Sequence, residues 1–178
     1  MIVYIRGYQA RNPPTKFLQL KEAFLNEEVE CPLFDYNKQS PHQILDELWF
    51  QYGNNVFDKL MFVGSSLGGF FAYAMSYITD AKAVLLNPAM YPSQALAKHN
   101  VNQNIVNEYA ALEYGIYEQY YGGNIIAYVC KGDETIDYNL LLLNYNTPRI
   151  MKINVLNDGG HRMSNFNTIL PQIVDFYE

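Results

Sequence analysis

The sequence is poor in basic residues, in cysteine and in long apolar runs, and each shortage excludes a class of protein. Its 12 Lys and Arg residues are outnumbered by 18 Asp and Glu residues, which gives a net charge of -6. We therefore expect no nucleic-acid partner, since the Lys and Arg residues form no basic cluster within this acidic chain. The only cysteines, Cys31 and Cys130, each lie within or beside an apolar segment, so we expect no disulfide and no metal site. The apolar runs are too short to span a bilayer.

What remains is the composition of a globular protein. The chain has 178 residues, of which 49% are hydrophobic and 17% charged. This excludes a disordered chain, and the length favours one compact domain over residues 1–178. The start, Met1 to Ile5, has no basic region before its apolar run. It is more typical of a first strand than of a signal peptide, so we expect a cytoplasmic protein.

One short motif organises the chain. Gly64-Ser65-Ser66-Leu67-Gly68 follows the apolar run Leu60 to Val63 and precedes a helix-like stretch from Phe70 to Ile78. Strand, sharp turn and helix are the setting of a G-x-S-x-G nucleophile elbow, in which the turn exposes the serine hydroxyl above the sheet. Glycines at both ends of the motif keep side chains out of closely packed backbone. Ser66 is therefore the candidate nucleophile.

Strands and helices alternate along the chain, which indicates a parallel sheet covered by helices on both faces. We predict a six-stranded, mostly parallel sheet in the order 2-1-3-4-5-6. The stretch from Ala89 to Gly123 is polar and then rich in tyrosine, so we interpret it as a cap inserted over the site. Strands are predicted at Met1 to Ile5, Val29 to Phe34, Leu60 to Val63, Ala81 to Leu86, Asn124 to Cys130 and Ile150 to Leu156, with Ser164 capping a last helix.

A serine hydroxyl needs a base at neutral pH, and imidazole has a suitable pKa. In this architecture the serine is followed along the chain by an acid and then by a histidine. His161 satisfies this order and lies in a glycine-rich loop after the sixth strand. His42 precedes the serine, and His99 lies in the inserted segment before any acid placed at a strand end. We therefore predict His161 as the base.

The acid that orients the base should come from the carboxyl end of a strand, where functional groups of open parallel sheets gather. Asp133 directly follows the fifth strand and is the preferred candidate. Asp80 is excluded because it precedes its strand and so lies at the opposite edge. Asp158 and Glu134 remain open as competitors.

Acyl transfer also needs backbone N–H groups aimed at the carbonyl oxygen, on which negative charge develops. The amide of Leu67, directly after the nucleophile, is one predicted donor of this oxyanion hole, and it begins a helix whose dipole favours an anion. The second donor should come from the loop after the first strand. There Tyr8 is the preferred donor and Gln9 the alternative.

These motifs resemble those of the small bacterial YqiA-like esterases of the α/β-hydrolase superfamily, over nearly the whole chain. Members usually carry His-Gly after the first strand, where this chain has Arg6-Gly7, and another residue before the histidine, where His161 here follows Gly160 directly. The motifs that carry the resemblance are Gly64 to Gly69, Asn87 to Ala89, Gly132 to Glu134 with Asp137-Tyr138, Gly159 to His161, and Ile173 to Phe176.

The resemblance implies a three-layer α/β-hydrolase fold in which Ser66, Asp133 and His161 act as nucleophile, acid and base. The implied reaction is hydrolysis of acyl esters or thioesters, acyl-CoA among them, through an acyl-enzyme and without a cofactor. A different interpretation is a non-catalytic α/β-hydrolase-like protein that only binds a small molecule. A nucleotide-binding fold is disfavoured because the glycines do not follow the G-x-G-x-x-G spacing. The sequence predicts neither a substrate-binding residue nor an oligomeric state.

Overall fold

A six-stranded sheet forms the centre of the computed structural model, which describes residues 1–10, 13–55, 57–117, 124–145 and 151–178. All neighbouring strands pair in parallel, in the order β2-β1-β3-β4-β5-β6. The predicted α/β-hydrolase sheet and its strand order are thereby confirmed. The strands are β1 (Ile2–Ile5), β2 (Val29–Glu30), β3 (Met61–Ser65), β4 (Lys82–Leu86), β5 (Ile125–Cys130) and β6 (Lys152–Leu156).

Helices follow most of the strands. The start of the second helix shows how local sequence fixes such a boundary: Ser40 and Gln43 form a reciprocal capping box, and Pro41 occupies the first helical position. Within the described ranges, no helix combines the length and the apolar character that a bilayer span requires. The helices are α1 (Thr15–Ala23), α2 (Pro41–Leu48) with a π-helical extension (Trp49–Gly53), α3 (Leu67–Thr79), α4 (Pro92–Leu96), α5 (Gln103–Tyr117), α6 (Tyr138–Tyr145) and α7 (Leu170–Tyr177).

Each face of the sheet has its own apolar core, because alternate residues of a strand point to opposite faces. In β1, Val3 and Ile5 pack with α2, α3 and α5, whereas Ile2 and Tyr4 pack with α1 and α7. The strand is buried on both faces and so reads as one continuous apolar run. The result is the predicted three-layer arrangement, with one end of every strand directed to the same sheet edge.

Two predicted boundaries were wrong by more than two residues. β2 ends at Glu30 instead of Phe34, since Pro32 has no N–H group to donate to a sheet. Ser164 does not cap the last helix, because its hydroxyl donates to the carbonyl oxygen of Gly159 at 3.4 Å and α7 begins six residues later. The predicted start of the sixth strand, Ile150, lies outside the described residues.

The inserted segment, residues 89–123, is described up to residue 117 and contains α4 and α5. On α5, Ile105, Val106 and Tyr109 are buried, and the Tyr109 ring lies 6.2 Å from Phe70 and 6.0 Å from Phe71, both on α3. The described part of the insertion is thus anchored on the sheet's helical layer. Its role as a cap, and the assignment of the chain to one domain, stay predictions.

Candidate active site

Ser66 occupies a strained turn between β3 and α3. Its backbone has φ 52° and ψ -120°, a combination that non-glycine residues rarely adopt. Hydrogen bonds on both sides hold it there: its N–H donates to the Leu86 carbonyl at 3.0 Å, and its carbonyl accepts from the amides of Gly69 and Ala89 at 2.8 and 2.9 Å. The strain is therefore maintained by the pairing of β3 with the end of β4.

The motif glycines are needed for close approach of backbone. A side chain on Gly68 would overlap the carbonyl oxygen of Ile5, and one on Gly64 would overlap the carbonyl oxygen of Gly68. Because these neighbours are backbone atoms, they have little room to move aside. The two glycines thus let β1, β3 and the first turn of α3 pack around the turn that bears Ser66.

Ser66, His161 and Asp133 are brought together although the first lies 95 residues from the second. His161 Nε2 lies 3.1 Å from Ser66 Oγ. The other ring nitrogen, Nδ1, lies 3.0 and 2.9 Å from the two carboxylate oxygens of Asp133. The side chain of Asp133 is 1% exposed and that of His161 is 20% exposed. One ring nitrogen of His161 therefore faces a buried carboxylate, and the other faces the serine hydroxyl.

Backbone groups fix the Asp133 carboxylate. The amides of Thr135 and Ile136 both donate to its Oδ1, each at 2.8 Å. Burial by itself raises the pKa of Asp133, but the hydrogen bond from His161 and those from the two amides outweigh it, so that the pKa lies below its ordinary value. The carboxylate thus remains ionised beside the imidazole at neutral pH.

The two competing acids have other partners. Asp158 Oδ1 accepts a hydrogen bond from Asn165 Nδ2 at 2.8 Å. Glu134 Oε2 accepts from the backbone amide of His161 at 3.1 Å and not from its ring. Among the described residues, Asp133 is the acid that is hydrogen-bonded to the imidazole. Asp133 is also the acid that the sequence favours.

Asn87 holds the loop of His161, a role that the sequence analysis did not assign although Asn87 belongs to one of the motifs of the resemblance. Its side chain is buried, its Oδ1 accepts from the Cys130 amide at 2.8 Å, and its Nδ2 donates to the carbonyls of Gly160 and His161 at 2.9 and 3.0 Å. It therefore ties the end of β4 to β5 and to the loop that bears the histidine. The available signal was a polar residue at the end of an apolar strand, directly before Pro88.

Ser66 and His161 open into a cavity of about 500 Å³. The loop after β1 forms one wall and passes close to the serine, since a side chain on Gly7 would lie 3.0 Å from Ser66 Cβ. Tyr8 and Gln9, the two candidate oxyanion donors, belong to this wall. The described lining residues are Tyr4, Gly7 to Ala10, Pro14 to Lys16, Gln19, Ser65, Ser66 and His161 to Ser164.

The described part of the insertion contributes no residue to this lining. It approaches the lining where the ring of His99 lies 4.9 Å from that of Tyr8. In the described ranges, no three His, Cys, Asp or Glu side chains are grouped so that they could hold a metal ion. Ser66, His161 and the loop after β1 all line the cavity.

The chain matches a known protein family over its whole length. The model of an uncharacterised family, UPF0227, matches residues 1–178. The chain belongs to this family. Curated members include a UPF0227 protein of Pectobacterium atrosepticum, 26% identical over 101 residues, and the UPF0227 protein YcfP of Salmonella arizonae, 27% identical over 96 residues. These matches cover 54% and 52% of the chain, and the chain spans about half the length of these relatives, 55% and 52%.

Solved structures extend the likeness to the whole fold. Est1E from Butyrivibrio proteoclasticus, solved with ferulic acid bound, superposes with a TM-score of 0.77 over 99% of this chain and 88% of its own, at 12% identity. The mouse α/β-hydrolase domain-containing protein 10 gives 0.71 over 98% and 88%, at 13% identity. At such identities the likeness concerns the fold, and it confirms the α/β-hydrolase architecture that the resemblance to YqiA-like esterases implied.

Proposed function

We propose that this UPF0227 member is a serine hydrolase that cleaves carboxylic esters or thioesters through an acyl-enzyme. Ser66 is the nucleophile, His161 the general base, and Asp133 the acid that orients His161. The observation that carries the proposal is the continuous contact from Ser66 Oγ through the imidazole to the buried carboxylate. Contact of this kind is how hydrolases activate a serine hydroxyl.

The geometry supports a two-step reaction. With the proton of the neutral imidazole on Nδ1, facing Asp133, Nε2 is free to accept the Ser66 proton as Oγ attacks the carbonyl carbon. Nε2 then gives that proton to the departing oxygen or sulfur, which leaves an acyl group on Ser66. Water attacks this ester in the same manner, its proton passing to Nε2 and then to Oγ, and the acid product leaves.

Backbone amides stabilise the oxyanion in this proposal. The amide of Leu67 lies at the start of α3, where the helix dipole favours negative charge. Tyr8 is assigned as the second donor because its loop packs against Ser66, and Gln9 is the alternative. The aligned helix end and the strained serine turn are both typical of a preformed oxyanion site.

Esters and thioesters are the proposed substrate classes. Two of the solved structures with the same fold are described as esterases or as binding ferulic acid, those from Pyrococcus furiosus and Butyrivibrio proteoclasticus. In addition, the resemblance to YqiA-like proteins adds thioesters such as acyl-CoA. The cavity walls described above bear aromatic, polar and cationic side chains, so that both the acyl chain and its leaving group find surfaces of suitable chemistry.

A fluorophosphonate probe tests the proposal directly. The folded protein should be labelled, the label should map to Ser66 and not to the adjacent Ser65, and heat-denatured protein should remain unlabelled. Ser66→Ala should also lower kcat for p-nitrophenyl butyrate by at least about a thousandfold. A folded protein that is not labelled and hydrolyses no ester would instead be the non-catalytic binding protein.

A further inference from the structure

The cavity beside Ser66 differs in charge from the protein as a whole. The chain has a net charge of -6. Among the described residues that line the cavity, however, Lys16 and Arg162 are cationic and none is a carboxylate. Asp133 and Glu134 approach His161, but neither lines the cavity. A cavity that reverses the sign of its protein attracts anions, because low-dielectric walls focus the field of the charges within it.

Lys16 lies close to the reacting groups. It belongs to the first turn of α1, and its Nζ donates a hydrogen bond to the carbonyl oxygen of Arg162 at 2.6 Å, one residue from His161. An ammonium group has three donors, so this bond leaves two for another acceptor. The ammonium group is thereby anchored beside the loop that presents the base.

No carboxylate neutralises Lys16 in the described part of the chain. It takes part in none of the ion pairs there, and the first turn of α1 has no acidic residue. Burial lowers the pKa of Lys16, in keeping with an ammonium group that is partly removed from water. Such a group is stabilised when an anion binds, and the open cavity in front of it is where that anion can enter.

We propose that the substrate carries an anionic group, a carboxylate or a phosphate, which binds to Lys16 within the Ser66 cavity. The proposal rests on the proposed hydrolase function and narrows its substrates to esters or thioesters that carry an anionic group. Lys16 is then a specificity-determining residue. The anion belongs either to the acyl part or to the leaving group, and these two sources can be separated by choice of ester.

Two pairs of esters test the proposal. For an anionic acyl part, p-nitrophenyl hemisuccinate is compared with p-nitrophenyl methyl succinate. For an anionic leaving group, 4-acetoxybenzoate is compared with its methyl ester. In each pair, kcat/KM is measured for the wild type, Lys16→Met, Lys16→Arg and Lys21→Met, the last being a matched control on the exposed side of α1 that does not line the cavity.

We expect Lys16→Met to lower the ratio of anionic to neutral kcat/KM by about 10- to 100-fold in one pair, the magnitude of a lost hydrogen bond to a charged group. Lys16→Arg should lower it less, because the charge is kept, and Lys21→Met should leave it unchanged. The ratio of the wild type should also fall with added NaCl. Equal losses on anionic and neutral esters would show that Lys16 only holds the His161 loop, and would overturn the proposal.

A binding measurement separates this inference from the hydrolase proposal. Succinate and 4-hydroxybenzoate are titrated into Ser66→Ala and into Ser66→Ala with Lys16→Met, using calorimetry. Binding that weakens about 10-fold or more without Lys16 supports the anion site even if no ester is hydrolysed, in which case the hydrolase proposal alone fails. Ester hydrolysis that depends on Ser66, with no effect of Lys16 on either anion, leaves the hydrolase and overturns the anion site.

Discussion

Replacing Asp133 by asparagine changes one atom of the proposed triad, and its effect can be derived from the hydrogen bonds. Oδ1 accepts two backbone N–H groups, from Thr135 and Ile136. An asparagine keeps its carbonyl oxygen there, because an NH2 group would meet two donors. Its NH2 group then takes the place of Oδ2, 2.9 Å from His161 Nδ1. That group can only donate, and Oδ1, 3.0 Å from Nδ1, already accepts two amides, so the tautomer in which Nδ1 accepts and Nε2 carries the proton is favoured.

A histidine protonated on Nε2 cannot accept the Ser66 proton. The corresponding wrong tautomer in serine hydrolases lowers turnover by about 10⁴-fold, or about 5.5 kcal/mol in barrier height. We therefore expect Asp133→Asn to lower kcat for p-nitrophenyl butyrate by about 10³- to 10⁴-fold, with its circular dichroism spectrum unchanged. Asp158→Asn is the matched control, because Asp158 is bonded to Asn165 and not to the ring. It should lower kcat by less than about tenfold.

The reverse ranking of the two variants would assign the acid role to Asp158 and refute the argument. A loss of equal size in both would indicate that the loop as a whole, and not the tautomer, limits turnover. Both variants must be measured at one pH, since ionisation of the base changes the rate of each.

The same substitution tests the pKa of Asp133. The pKa of Asp133 is lowered in the folded state, so its ionised carboxylate stabilises the fold at any pH above the pKa of an aspartate in the unfolded chain, about 3.9. This stabilisation is lost as the pH falls through the pKa of Asp133 in the folded protein. The Tm of the wild type should therefore exceed that of Asp133→Asn near neutral pH, and the two should converge below about pH 4. A difference that persists unchanged at low pH would contradict the lowered pKa.

Three further substitutions probe the support of the site and the packing of the insertion. Asn87→Ala removes the partners of a buried amide and two carbonyls, and should lower the free energy of unfolding in urea titrations by about 2–4 kcal/mol. It should also lower the rate of fluorophosphonate labelling. Labelling at the wild-type rate would contradict the role of Asn87 in holding the histidine loop. Gly68→Ala places a methyl group against the Ile5 carbonyl and should lower the free energy of unfolding, measured by thermal unfolding, by about 3 kcal/mol or more. Wild-type stability would refute the packing argument. Glu113→Ala removes the acceptor of the Ser93 amide and hydroxyl and should lower the free energy of unfolding in urea by about 1–3 kcal/mol. Glu113→Gln keeps one acceptor and should lower it less.

Local sequence was enough to predict most of the fold. Apolar runs bounded by glycine, proline or polar residues predicted the strands, and their alternation with helices predicted a parallel sheet whose crossovers share one hand. The predictions that the second strand continues past Pro32 and that Ser164 caps the last helix were wrong. A proline and a serine have several roles in a chain, and the neighbouring structure selects one of them.

The candidate site divides in the same way. The order of serine, acid and histidine along the chain restricted the candidates to Ser66, His161 and three acids, because strand ends of a parallel sheet meet at one edge. Sequence could not decide which acid faces the ring, since Asp133, Glu134 and Asp158 lie near one another in any such fold. Only the folded backbone, with two amides directed at Asp133 and Asn165 beside Asp158, distinguishes them.

The roles of Asn87 and Lys16 can be inferred only from the tertiary structure. Each makes its decisive bond with a residue far away in sequence, Asn87 with Gly160 and His161, and Lys16 with Arg162. A pattern in the sequence records the periodicity of one element and the order of motifs. It does not record which side chains of distant loops converge, because that depends on how two helical layers and the sheet pack against one another.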